Sequence, residues 1–508
     1  MLQEPFRRII THGLYKIKRS GVRLRFWSFC DSSFCDMTDH EIFDRKFLTK
    51  VTEVKTMGEN NAVQDMTTGS PAKLIVRFMI PVCLGSIFQQ FYNIADSIVA
   101  GQFIGVQALA AIGSTGSLMF FVTGWLNGLS SGFAILVSQW FGARQYDRMR
   151  HYVAMSVILS AACALLMTAG FLIANEPILR MMNYSEDIMP DVKLYMGIIY
   201  AGLIVTAAYN ALAAFLRALG DSRSPLYFLI ISAVINIVLD IVFIAVFGMG
   251  VEGCAYATVI AQGISALLCY IYILKRFPIL HLKREDFKIS LESFGRLLAL
   301  GTPMGLQFSI TAIGTIIVQG AVNVYGEVYM AGFSAAGKIQ NLTGCVFSSF
   351  GATIATYVGQ NRGAGKIERV RQGVRCTQIM VLAWSVILMA AMYFGGRYMT
   401  WLFISPSETE VVNASVTYFH TVFWCYPFLG SIFIYRNTLQ GMGYGLVPMM
   451  GGIFELAARS AIIMLAAGHV SYVGICLSDP MAWLAALIPL VPYYFYKMHQ
   501  LTRLSPGC

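Results

Sequence analysis

The chain has 508 residues, 56% of them hydrophobic and only 13% charged, with a mean hydropathy of +0.62. Soluble domains carry about 25% charged residues, so the composition excludes an ordinary globular enzyme and points to a polytopic membrane protein. The net charge of +10 does not indicate nucleic-acid binding, because basic residues in such chains collect in cytoplasmic loops.

The N-terminal residues 1–65 differ from the remainder of the chain. Arg7, Arg8, Lys16, Lys18, Arg19, Arg23 and Arg25 stand against Glu4, and the stretch from Cys30 to Asp65 has mixed charge. No apolar run of signal-peptide length comes after the basic region. A poorly ordered extension is expected, with the functional unit starting near Met57 or Met66.

From Thr67 onward, apolar runs of about 20 residues alternate with short polar loops, the length needed to cross hydrocarbon. Spans are expected near 73–99, 107–139, 152–174, 194–216, 225–247 and 253–274, then near 294–318, 329–358, 374–396, 414–435, 447–468 and 472–495. The fold class is all-α, with twelve transmembrane helices. Residues 66–280 are expected to form one six-helix bundle and residues 281–508 a second, with a short tail. Basic residues fill every second loop: Arg144, Arg148 and Arg150, then Arg217 and Arg223, then Lys275 to Arg296, then Arg362 to Arg375. The alternate loops are nearly uncharged or acidic, so both termini are expected on the cytoplasmic side of the plasma membrane.

The two halves repeat. Pro81 in "FMIPVCLG" and Pro303 in "LGTPMGLQ" stand at an offset of 222 (303 − 81). "SQWFGAR" from Ser138 echoes "GQNRGAG" from Gly359 at 221 (359 − 138), and "RALGDSRSP" echoes "QGMGYGLVP" at 223 (448 − 225). Internal repeats of this kind characterise secondary transporters. On "GSPAKLIVRFMIPVCLGSIFQQFYNIADSIVAGQFIG", "VSQWFGARQ", "LRALGDSRSP" and "YVGQNRGAGK", the chain from about 67 to 495 resembles the multidrug and toxic compound extrusion (MATE) family. The resemblance implies two pseudo-symmetric bundles around a central cleft, and cation-driven export of organic compounds by a multi-pass protein with no cofactor.

Ionisable residues inside spans are costly and are functional candidates by default. Asp96 lies inside the outer end of span 1. Asn236 and Asp240 share one face of span 5 at i, i+4, and Thr258 lies in span 6. Carboxylates, an amide and a hydroxyl at one depth suit H⁺ or Na⁺, and Na⁺ there is the one metal expected. The resemblance implies the same coupling residues. Gln89, Tyr92, Asn93 and Asp96 form a stripe at i, i+3, i+4, i+7 on span 1, which suits a cavity wall. The resemblance places Gln89, Tyr92 and Asn210 in a substrate pocket. Mapping Asp96, Asn236 and Asp240 through the repeat leads to Val318, Arg459 and Ile463, so the C-terminal half is expected to lack an equivalent site. Glu455 and Arg459 on span 11 suit either an in-helix ion pair or C-half gating, and the role of Lys338 in span 8 is open.

The partners expected are small, amphipathic, often cationic organic molecules and the lipid bilayer, with the protein a monomer. The alternative is a lipid-linked oligosaccharide flippase of the wider superfamily. It is disfavoured because the spans stop at twelve and the intramembrane arginine is mainly Arg459. An enzyme is not expected: no DDxxD, HExxH or Walker A motif occurs, the histidines are isolated and the eleven cysteines form no CxxC pair.

Overall fold

The computed structural model describes residues 64–182, 184–467 and 471–504. The expectation for the N-terminal extension falls almost wholly on residues 1–63, outside the described residues. The first half contains α1 (Pro71–Phe103), α2 (Val106–Ser114), α3 (Gly116–Gly142), α4 (Tyr146–Met181), α5 (Met189–Ala201), α6 (Leu203–Ala218), α7 (Arg223–Ile241) and α8 (Val251–Arg276). The second contains α9 (Leu291–Asn323), α10 (Glu327–Gly363), α11 (Ile367–Thr400), α12 (Thr409–Val422), α13 (Tyr426–Gly441), α14 (Leu446–Ala467), α15 (Tyr472–Cys476) and α16 (Ser478–Leu504). No strand occurs among the described residues. Helices satisfy their own backbone groups, as a segment in hydrocarbon requires.

Ten helical segments are long and apolar enough to cross a membrane, and α5–α6, bent by 49° at Gly202, makes an eleventh. The twelfth span is α12–α13, which carries His420, Arg436, Asn437 and Gln440. It is interrupted by a tight turn over Phe423–Cys425, at the repeat position of Gly202, with an offset of 222 (424 − 202). Span 2 is also divided, into α2 and α3 at Thr115. Proline rather than a side-chain cap starts α1: Pro71 stands in its first turn, and the Ser70 side chain makes no capping bond.

The repeat extends to backbone conformation. Arg144 has φ 57° and its repeat mate Gly365, at an offset of 221 (365 − 144), has φ 73°. Gly220 and Gly443 have φ 92° and 87° and are 223 apart (443 − 220). Each pair closes the same turn in its own half, in a region that glycine enters at least cost.

Where the halves meet, α3 packs along α9 and α10, and α10 packs along α1. Lipid tails are as apolar as leucine, so close contact between small residues does much of the work of holding helices together. Gly132 on α3 faces Gly301 on α9, and a Cβ at Gly142 or Gly363 would run into the carbonyl of Gln360 or Gln139. The chain ahead of α1 joins this seam. Met66 is fully buried; its N–H donates to Gln360 at 3.0 Å, and its carbonyl accepts from Asn361 at 3.0 Å. Lys366 and Arg369 bind the carbonyls of Thr67 and Gly69. The packed unit therefore reaches back at least to Gln64, whose carbonyl lies against Gly220. The connection between the halves lies on α4, where His151 meets the carbonyl of Asp286 at 3.1 Å and the hydroxyl of Ser293 at 3.0 Å.

Candidate functional site

The acids expected from the sequence come together inside the first half. Asp96 from α1, Asn236 and Asp240 from α7 and Thr258 from α8 are all buried, at 9%, 0%, 0% and 4% exposure. Asp96 interacts with both Asp240 and Thr258. The packing of α7 against α1 and α8 explains the meeting: each residue lies on the face its helix turns toward the other two. Asp96 and Asp240 lie against each other, yet the Oδ1 of Asp96, both carboxylate oxygens of Asp240 and both polar atoms of Asn236 meet no donor or acceptor among the described residues that satisfies them. Buried polar groups in native proteins are normally bonded, so these unsatisfied oxygens stand out. A π-helical turn, Val242–Val246, comes directly after α7; such turns are frequent at functional sites.

The polar stripe of span 1 divides. Tyr92 turns into the first half, where its hydroxyl donates to Thr258 at 3.2 Å. It thus lies beside the acids and does not line the cavity between the halves. Gln89 faces a cavity between the halves, and Asn210 lines the same space. The side chain of Asn93 lies outside the described residues. Sequence reasoning missed Tyr195 on α5 and Cys254 on α8, both buried within electrostatic range of the two acids.

The central cavity has a volume of about 600 Å³ and takes its walls from both halves. It corrects one expectation. Arg217, read from the sequence as a loop residue, lies in the cavity wall, and Arg436 on α13 lies there too. Arg459 is thus not the main intramembrane arginine, and that ground for setting aside a flippase fails. Arg436 escapes sequence reasoning because it sits in a span broken by polar residues.

The second half also has more than the repeat mapping implied. Arg459 is 5% exposed; it donates to Glu455 at 3.3 Å and to Asp479 on α16 at 3.0 Å. Tyr418 donates to Asp479 at 2.9 Å and also bonds Gln340. Asp479 is offset from Thr258 by 221 (479 − 258), and Tyr418 from Tyr195 by 223 (418 − 195). Gly314, offset from Tyr92 by 222 (314 − 92), leaves the space that the Arg459 guanidinium fills. The second half thus has a counterpart cluster in which a guanidinium is built in. Extending the offset to Thr258 finds Asp479 in the sequence. Lys338 is exposed and lies 5.5 Å from the Phe403 ring.

The MatE family model matches residues 81–242 and 303–484, once in each half, and the matches begin at the two repeat-related prolines. The chain is 28% identical over 437 residues to the probable multidrug resistance protein YpnP of Bacillus subtilis, covering 85% of this chain and 96% of that protein. It is 26% identical over 463 residues to the probable multidrug resistance protein YoeA of the same organism, covering 89% of this chain and all of that one. A crystal structure of MATE in the bent conformation superposes with a TM-score of 0.81 at 22% identity, over 88% of this chain and 99% of that one. Two matches of one family model, one per half, over a repeated twelve-span fold place the chain in the MatE family of multidrug and toxic compound extrusion transporters.

Proposed function

We propose that the protein is a secondary active antiporter that exports amphipathic organic compounds from the cell in exchange for H⁺ or Na⁺. The observation that carries this reading is the set of unpartnered oxygens of Asp96, Asp240 and Asn236, drawn from two helices and enclosed by Tyr92 and Thr258. Two carboxylates in one apolar enclosure repel each other and are poorly solvated, so a proton or a small hard cation relieves both costs at once.

The site also has a route to the cargo. On α1, Gln89 faces the central cavity two turns before Asp96; on α7, Pro225, Leu226 and Leu229 face it before Asn236 and Asp240. Loading and unloading the acids changes how α1 and α7 hold each other, and these helices wall the cavity. Cation and cargo are then linked through one two-state element. The basic loops lie on the cytoplasmic side of the plasma membrane in this reading, and the monomer is the working unit.

The test is dye export from proteoliposomes under an imposed pH gradient and, separately, an imposed Na⁺ gradient. Export driven by at least one gradient supports antiport. Export indifferent to both removes the acid cluster from the energetics.

A further inference from the structure

The wall of the central cavity carries two arginines and, among the described residues, no aspartate, glutamate or lysine. Arg217 comes from α6 of the first half and Arg436 from α13 of the second, so the charge is shared across the seam. Neither takes part in an ion pair among the described residues; the nearby acid of the second half, Glu455, is engaged by Arg459. Arg436 lies 4.9 Å from the Phe433 ring, and its Nε and Nη1 lie 3.1 Å from the side-chain amide of Gln307, whose oxygen accepts from both once that amide is turned end for end. Its hydrogen-bond partner is thus neutral. The acids of the first half do not line this space, so no carboxylate there meets a cationic cargo.

An enclosed guanidinium without a counter-ion is costly, and a bound anion repays that cost. Guanidinium forks match carboxylates, sulfonates and phosphates in shape and charge. The rest of the wall supplies neutral amides from Gln89, Asn210 and Asn437 and rings from Phe120 and Phe308, which suit the uncharged and apolar parts of an amphiphile. We infer that the central cavity selects amphipathic organic anions, held between Arg217 and Arg436, over organic cations. This rests on the export reading above and replaces the cationic cargo expected from the sequence. It also changes the energetics: an anion leaving and a cation entering move charge in the same direction, so an inside-negative potential drives both.

The test is equilibrium binding to the full-length protein in phosphatidylcholine nanodiscs, using two dyes with the same ring system and opposite charge. Fluorescein at pH 8 is the anion and rhodamine 6G the cation. Fluorescein is expected to bind at least about tenfold more tightly in the unaltered protein. Arg217→Gln and Arg436→Gln should each weaken it by about tenfold, the loss expected for one charge-assisted pair, with rhodamine 6G unchanged. Arg436→Lys should recover part of the loss. Displacement of fluorescein by added phosphatidylglycerol would identify the anion as a lipid headgroup; its absence would identify a soluble anion. Rhodamine 6G binding more tightly than fluorescein overturns the inference, as does binding of neither dye, or fluorescein binding that survives both substitutions. Gradient-driven export is not read in this measurement, so arginine-dependent anion binding without gradient-driven export would sink the antiport reading alone.

Discussion

Gln139 and Gln360 each reach across the seam to a backbone carbonyl of the opposite half. Gln139 on α3 donates to the carbonyl of Gly441 at the end of α13, and Gln360 on α10 donates to the carbonyl of Ala218 at the end of α6, both at 2.9 Å. The donors are offset by 221 (360 − 139) and the acceptors by 223 (441 − 218), so each half clasps the other with the same residue. The clasp lies at the end that carries the basic loops, beside the contacts of Gly142 and Gly363. Ala218, one of its acceptors, also lines the cavity.

Removing the clasp should therefore shift the conformational balance rather than unfold the protein. Each bond contributes about 0.5–1.5 kcal/mol net, so Gln139→Ala with Gln360→Ala should raise the fraction open on the basic side by roughly tenfold. A cysteine-free protein with Ser348→Cys, whose side chain lines the cavity, reports this. A membrane-impermeant maleimide added on the basic side should label the double variant several-fold faster than the parent. Equal rates would mean that the clasp does not gate the cavity.

The acid cluster gives a sharper expectation. Asp96→Asn and Asp240→Asn are nearly isosteric and remove buried charge without emptying space, so both variants should insert and purify normally. Gradient-driven export should fall to the level of empty liposomes in each. Export by Asp240→Asn at the parental rate would exclude that carboxylate from coupling.

How much the sequence could reveal depended on what each signal measures. Hydropathy located the spans because hydrocarbon imposes a length, and Pro81 and Pro303 exposed the repeat because an in-helix proline recurs at the same place in each half. Asp96, Asn236, Asp240 and Thr258 were visible as polar residues at one depth. The stripe groups Tyr92 with Gln89 because periodicity gives a face but not the neighbour that face meets; the partner of Tyr92, Thr258, is far away along the chain. Arg217 was misplaced for a related reason. It stands in the last turn of α6, where composition alone does not distinguish a loop cation from one turned into a cavity.

The start of the functional unit can be decided by truncation. A chain beginning at Met57 should insert and export like the full chain, since the described contacts begin at Gln64. A chain beginning at Met66 places a charged α-amine where a buried N–H now donates to Gln360, and loses the Asp65 carboxylate that accepts from the Thr67 N–H at 2.8 Å. Uncompensated burial of charge costs several kcal/mol, so the melting temperature of the purified protein should drop by several degrees. Identical melting of the two truncated forms would show that residues 57–65 contribute nothing to the seam.

The cluster around Arg459 makes the opposite demand on charge. In the first half the acids Asp96 and Asp240 form no ion pair with a cation among the described residues. In the second, Arg459 stands at the repeat position of Asn236, at an offset of 223 (459 − 236), and binds Glu455 and Asp479. A permanent cation leaves the second cluster with nothing to exchange, so its contribution is expected to be to stability, holding α14 to α16. Arg459→Gln should strand two largely enclosed carboxylates and cost about 3–5 kcal/mol, the usual penalty for breaking one side of a buried pair. Low yield and a much lower melting temperature in detergent would report it. Neutralising the acids as well, with Glu455→Gln and Asp479→Asn in the same chain, should recover most of the loss, because the stranded charge and not the missing guanidinium carries the penalty. An Arg459→Gln protein as stable as the parent would show that the guanidinium does not hold these helices together. Failure of the triple variant to recover would mean that Arg459 contributes through its packing against Gly314 on α9.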